Sequence, residues 1–176
     1  MNLPSLSFQK LFFLVVVAML PAAHARAQGK YAGSMKKLMG IVYEDSRKIA
    51  ALKGWQFRQG DLITPVDNPI PTTVTVFQKG TTAIVLLSGQ AGSAESRFRI
   101  SDVLEVKNVT RGWVIKTGTC KVGQNSDMGI IALAKDSKSE SLTIIRQAWR
   151  CNLDRLRIEI TDSKNISCLN EGAEQF

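Results

Sequence analysis

The chemistry open to this chain is bounded first by its histidine and its cysteines. There is a single histidine, His24, and there are three cysteines, Cys120, Cys151 and Cys168. His24 lies in a leader-like segment. Lys10 precedes an apolar run at residues 11–20, followed by Pro21 and two small-x-small sites, at Ala23 and Ala25 or at Ala25 and Ala27. A positive start, a short apolar core and an A-x-A end predict a cleaved secretory signal peptide over residues 1–27. The ten-residue core is short of the roughly 18 apolar residues that a membrane span needs, so no transmembrane anchor is expected after cleavage. With His24 removed, Ser-His-Asp and Cys-His catalysis and imidazole-ligated metals are excluded. Export also places the cysteines in an oxidising compartment, where three of them predict one disulfide and one thiol. Their spacing fits no zinc or haem pattern, and no cofactor or metal is expected.

The remaining candidates are weaker. Ser34 and Lys37 have the S-x-x-K spacing of an acyl enzyme, and Lys116, Thr117 and Gly118 spell the partner triplet, but the Ser-Asp-Asn element is missing. No phosphate loop is present, since residues 89–93 lack the lysine. A glycosidase needs only two acids roughly 5 to 10 Å apart; Glu44 with Asp45, and Asp154 with Glu159, read instead as solvated face and turn residues, and Asp61 after Gly60 as a turn cap. A non-catalytic protein is therefore expected. Asn108 and Asn165 open glycosylation sequons that matter only in a eukaryotic source, whereas the leader has a bacterial form.

Binding chemistry rests on aromatics flanked by cations. Arg111 with Trp113, and Trp149 with Arg150, have the form of a face that stacks on sugars or grips anions, and Arg155 and Arg157 lie close behind. These six residues form the candidate binding surface; core packing of the tryptophans and a solvated strand for the arginines are the competing readings. The formal net charge is +8, and losing Lys10 and Arg26 with the leader lowers it to +6. Such a balance favours an anionic envelope component. Nucleic acid is not expected, because the bases are scattered and the protein is exported.

The elements that must carry these residues read as β-structure from Trp55 onward. Short runs alternate or are wholly apolar, with turns at Gly60 and Asp61, at the prolines 65, 69 and 71, at Gly80, at residues 88–96, at Gly112, at residues 123–127 and at residues 135–141. Eight to ten short strands are expected, joined mostly by short polar connections that favour antiparallel neighbours. The fold class is mainly β, a single antiparallel sandwich or small barrel over residues 35–176, after a mobile mature start at residues 28–34. Residues 35–53 suit either a short helix or strand.

The strand pattern also constrains the cysteines. Placing Leu156, Ile158 and Ile160 inward pairs Trp149 with Ile158, and Ile158 with Cys168. Cys151 and Cys168 would then lie two strands apart, near 10 Å at about 4.8 Å per strand, beyond the roughly 7 Å reach of a disulfide. Cys120 is thus one partner, and Cys168 is favoured over Cys151 as the other.

Residues 40–87 carry a G-x-V strand at Gly40 and Val42, the series Ala51, Gly54, Phe57, Gly60, Asp61 and Ile63, and two strands about Gly80. This stretch resembles the FecR-type extracytoplasmic β-domain, with alanine for leucine at Ala51, Thr64 one position early and Lys79 for the hairpin aspartate. The resemblance implies a bacterial envelope β-domain and strand over residues 38–50. The second half, ending in Asn170, Glu171 and Gly172, resembles small uncharacterised secreted bacterial proteins. The expected function is a periplasmic or secreted binding module for an anionic envelope component or a protein partner. The alternatives are an inhibitor of an envelope hydrolase, presenting residues 88–96, and a carboxylate-dependent hydrolase.

Overall fold

The computed structural model describes residues 35–64, 70–93 and 96–171. The expected leader and the mature start at residues 28–34 lie outside them. Among the described residues the protein is mainly β and antiparallel, with strand at 54% and helical turns at 7%. The described residues form thirteen strands: β1 (Val42–Tyr43), β2 (Gln56–Leu62), β3 (Thr72–Lys79), β4 (Thr82–Gln90), β5 (Phe98–Val106), β6 (Trp113–Thr117), β7 (Cys120–Val122), β8 (Asn125–Ser126), β9 (Ile130–Lys135), β10 (Ser141–Leu142), β11 (Ile145–Asn152), β12 (Arg157–Thr161) and β13 (Ile166–Leu169).

They form three sheets, of order β1-β5-β4-β3-β2, β12-β11-β9-β6 and β10-β13-β7-β8. The first two pack face to face. Val74, Val76, Val85 and Leu87 from one meet Ile115, Ile131, Leu133 and Trp149 from the other. Strand β4 lies centrally and is buried on both sides, which explains its unbroken apolar run. Its second face, with Phe77, Ile84, Leu86 and Ile100, is covered by Leu38, Ile49 and Leu52. Those three lie in or beside 3₁₀ turns at Lys36–Leu38, Ser46–Lys48 and Ala50–Leu52. The stretch that suits helix or strand is therefore mostly neither: its apolar residues are spaced to cover a sheet, and Gly40, at φ 79°, interrupts any longer helix.

The third, small sheet lies on the outer face of the second. Cys120, Ile166 and Cys168 pack there on Ile130, Ala132 and Ala148. Cys120 and Cys168 sit directly opposite each other on β7 and β13 and form the disulfide, while Cys151 is a buried thiol. The pairing expected from the sequence is present, but the expected register is not. Trp149 pairs with Ile160, and Cys151 with Ile158, a two-residue shift caused by a longer turn through Leu156, whose φ is 47°. Strand β13 pairs with β10 and β7 rather than with β12. Cys151 and Cys168 are kept apart by belonging to different sheets. Ile160, expected inward, is 57% exposed on the edge strand β12.

Two expected turns and one expected strand run are also corrected. Gly60 and Asp61 lie within β2, where a bulge between Phe57 and Gln59 bends the strand. A Cβ at Gly60 would make only ordinary contact with the Phe57 ring, at 3.4 Å. Residues 88–90 belong to β4, with Ser88 fully buried. The run from Trp113 to Val122 is two strands in two sheets, separated at Gly118, whose φ is 71°.

Candidate functional site

Polar side chains link the two large sheets at both edges. On one side Asp102, buried on β5, accepts the Ile158 N–H of β12 at 2.7 Å. On the other, Asp61 of β2 accepts the Thr117 hydroxyl of β6 and a Gln59 amide N–H at 2.9 Å. The same Gln59 amide donates to the Thr117 carbonyl at 2.9 Å. Burial raises the Asp61 carboxyl above its ordinary value, against the lowering effect of the Thr117 and Gln59 hydrogen bonds, and Glu171 adds to the rise. Asp61 is therefore a clasp between sheets rather than the turn cap expected. Its one carboxylate oxygen receives both side-chain donors, which suits holding the edge more than proton transfer.

The six candidate binding residues do not form one surface. Trp149 is 8% exposed within the core between the sheets, so it presents no ring to a ligand. Arg150, on the opposite face of β11, is engaged with Asp127. Arg155 stands 4.0 Å from Glu159, and Arg157 lies across from Asn152. Arg111 and Trp113 lie at the other end of the sandwich, because β11 carries Arg150 and Asn152 away from that end.

Among the described residues, that end gathers several cations. The β3–β4 hairpin brings Lys79 there, and the Val109 N–H bonds to the Thr81 carbonyl, which ties the 107–112 loop to the hairpin. Trp113 pairs with Lys135, and the Lys135 N–H bonds to the Ile144 carbonyl, so Lys135 stands between the Trp113 strand and the start of β11. Arg146 spans the gap. Its guanidinium lies 4.5 Å from the Trp113 ring centroid and donates to the Asn108 carbonyl at 2.6 Å. Lys79, Lys107, Arg111, Lys135 and Arg146 are all exposed, and among the described residues none of them forms a salt bridge. The acids nearest along the chain are Glu105 and Asp136. A stack of this kind holds a charged group in place at about 0.5 to 1 kcal/mol when exposed.

Sequence reasoning missed Arg146. It is three residues before Trp149, yet its partner is Trp113, reached across β9; no local spacing encodes such a contact.

A cleft of about 360 Å³ opens beside this end, between β2 and β6, lined by Arg58, Lys116, Gln59, Gln78 and Asp136 over Val76 and Ile115. A larger groove of about 650 Å³ runs under the N-terminal turns. It balances Glu44 and Asp45 against Lys48 and Arg97, so it selects no sign of charge. Among the described residues no three acids or cysteines gather into a group that could hold a metal. The chain matches no family model, no curated protein and no solved structure.

Proposed function

We propose that this protein is an exported, non-catalytic binding module of the bacterial envelope that engages an anionic partner through the cationic end of its sandwich. The observation that carries this reading is the gathering of Lys79, Lys107, Arg111, Lys135 and Arg146, free of salt bridges among the described residues, at one end of the fold. Like charges kept together repel one another in the free protein, and an anionic partner relieves that repulsion. The leader-like residues 1–27 and the resemblance of residues 40–87 to an extracytoplasmic domain support the envelope location.

Retention on anionic vesicles, peptidoglycan and dextran sulfate at rising salt tests it. Each cation near an anionic surface contributes about 1 kcal/mol. Replacing Lys107, Arg111 and Lys135 by glutamate should therefore weaken binding by more than about a hundredfold. Absence of salt-sensitive binding to all three materials would remove the reading.

A further inference from the structure

We infer that the anionic partner is a lipid bilayer surface, with Ile144 entering the headgroup region between Lys135 and Arg146. This rests on the proposed anionic-partner reading and adds the kind of surface. Two observations separate a bilayer from an acidic glycan. The Trp113 ring is half-buried against the core and carries the Arg146 guanidinium over its face, so it offers no free platform for a sugar. At the same end, Ile144 is 58% exposed, two residues before Arg146 in sequence and bonded through its carbonyl to the Lys135 N–H. An aliphatic side chain held in water among cations gains nothing from a polar glycan. At a bilayer interface the cations meet phosphates and the aliphatic group leaves water, which is the pattern of peripheral membrane attachment. The cations are also spread over a hairpin, a loop and two strand ends, which suits many headgroups better than one small anion.

Sedimentation with phosphatidylcholine vesicles, with and without one part in three of phosphatidylglycerol, reads the inference directly. Three proteins are compared: wild type, Ile144→Ser, and Lys107→Glu/Arg111→Glu/Lys135→Glu, each with its thermal melt recorded to show that it folds. Wild type should bind only the phosphatidylglycerol vesicles. Ile144→Ser should weaken that binding by about tenfold, from the lost apolar burial, while leaving its salt dependence unchanged. The triple variant should lose both affinity and salt dependence. Wild-type binding that Ile144→Ser leaves intact would overturn the insertion. Salt-sensitive retention on dextran sulfate without vesicle binding would overturn the bilayer and leave the broader reading standing. Retention on neither would overturn both.

Discussion

Cys151 shows how a residue type can be right while its neighbourhood decides its behaviour. The odd cysteine count predicts one thiol, and the structure buries it on β11 against the core. Burial first, then the charges of Asp102 and Asp127, pushes that thiol up to about 12. The thiolate is the reactive form, so native protein at pH 8 should resist iodoacetamide, and one thiol per chain should become reactive only on unfolding. Labelling of folded protein at the rate of a free cysteine would contradict this burial. The same linkage makes stability fall as pH rises above about 9, because the unfolded thiol then ionises and the folded one does not. Asp61 follows the same sign at the acid end. Its raised carboxyl means that stability is full below the ordinary aspartate value of 3.8, declines as pH rises through it, and levels off above the folded value. Asp61→Asn keeps an acceptor for Thr117 and should flatten that decline in urea titrations between pH 3 and 7. An unchanged slope would show that Asp61 is not its source. The sequence offers Asp61 as a turn residue because Gly60 precedes it. Only the bulge in β2 and the arrival of Thr117 turn it into a clasp, and neither is a local property.

Strand content and several strand centres were legible as alternation and apolar runs, whereas strand ends and sheet membership were not. The run between the expected turns at Gly112 and at residues 123–127, and the run that follows the expected turn at residues 135–141, each cross from one sheet to another. The crossings are marked by Gly118 and by the short gap before Ile145, and a glycine in a strand pattern is as often a bulge as a corner. Gly118 is required twice over: its φ is 71°, and a Cβ there would stand 2.8 Å from the Asp61 Cγ. Gly118→Ala should cost upwards of about 1 kcal/mol and also disturb the β2–β6 clasp, so its loss should be smaller when measured in an Asp61→Gly background, which removes the Asp61 Cβ as well as its carboxylate. Equal losses in both backgrounds would place the cost in the backbone alone. The small sheet depends on Cys120 and Cys168, 48 residues apart. Replacing both by alanine should lower stability by about 4 kcal/mol on the chain-entropy estimate. Amide exchange should rise first in β7 and β13, while β4 and β9, buried between layers, hold their protection. Uniform loss across all strands would contradict a separable outer layer.

The whole molecule is a pair of sheets clasped at both edges, covered on one side by 3₁₀ turns and on the other by a disulfide-tied third sheet. Net charge was readable from composition, but its placement was not. The cationic end is assembled from Lys79, Lys107, Arg111, Lys135 and Arg146, which lie on four separate stretches of sequence and meet only through the hairpin and the pairing of β6, β9 and β11. A basic protein is retained by any polyanion to some degree, so location is the property to test. Lys121, Arg157 and Lys164 are also exposed but lie on β7, on β12 and in the turn before β13, away from that end. Changing these three to glutamate alters the net charge by the same amount as changing Lys107, Arg111 and Lys135. The decisive measurement is the affinity of wild type and both triple variants for phosphatidylglycerol-containing vesicles at one fixed salt concentration. The cationic-end variant should lose more than about a hundredfold and the distant variant only a few-fold. Equal losses in the two would show that the protein responds to net charge alone and would contradict a binding end.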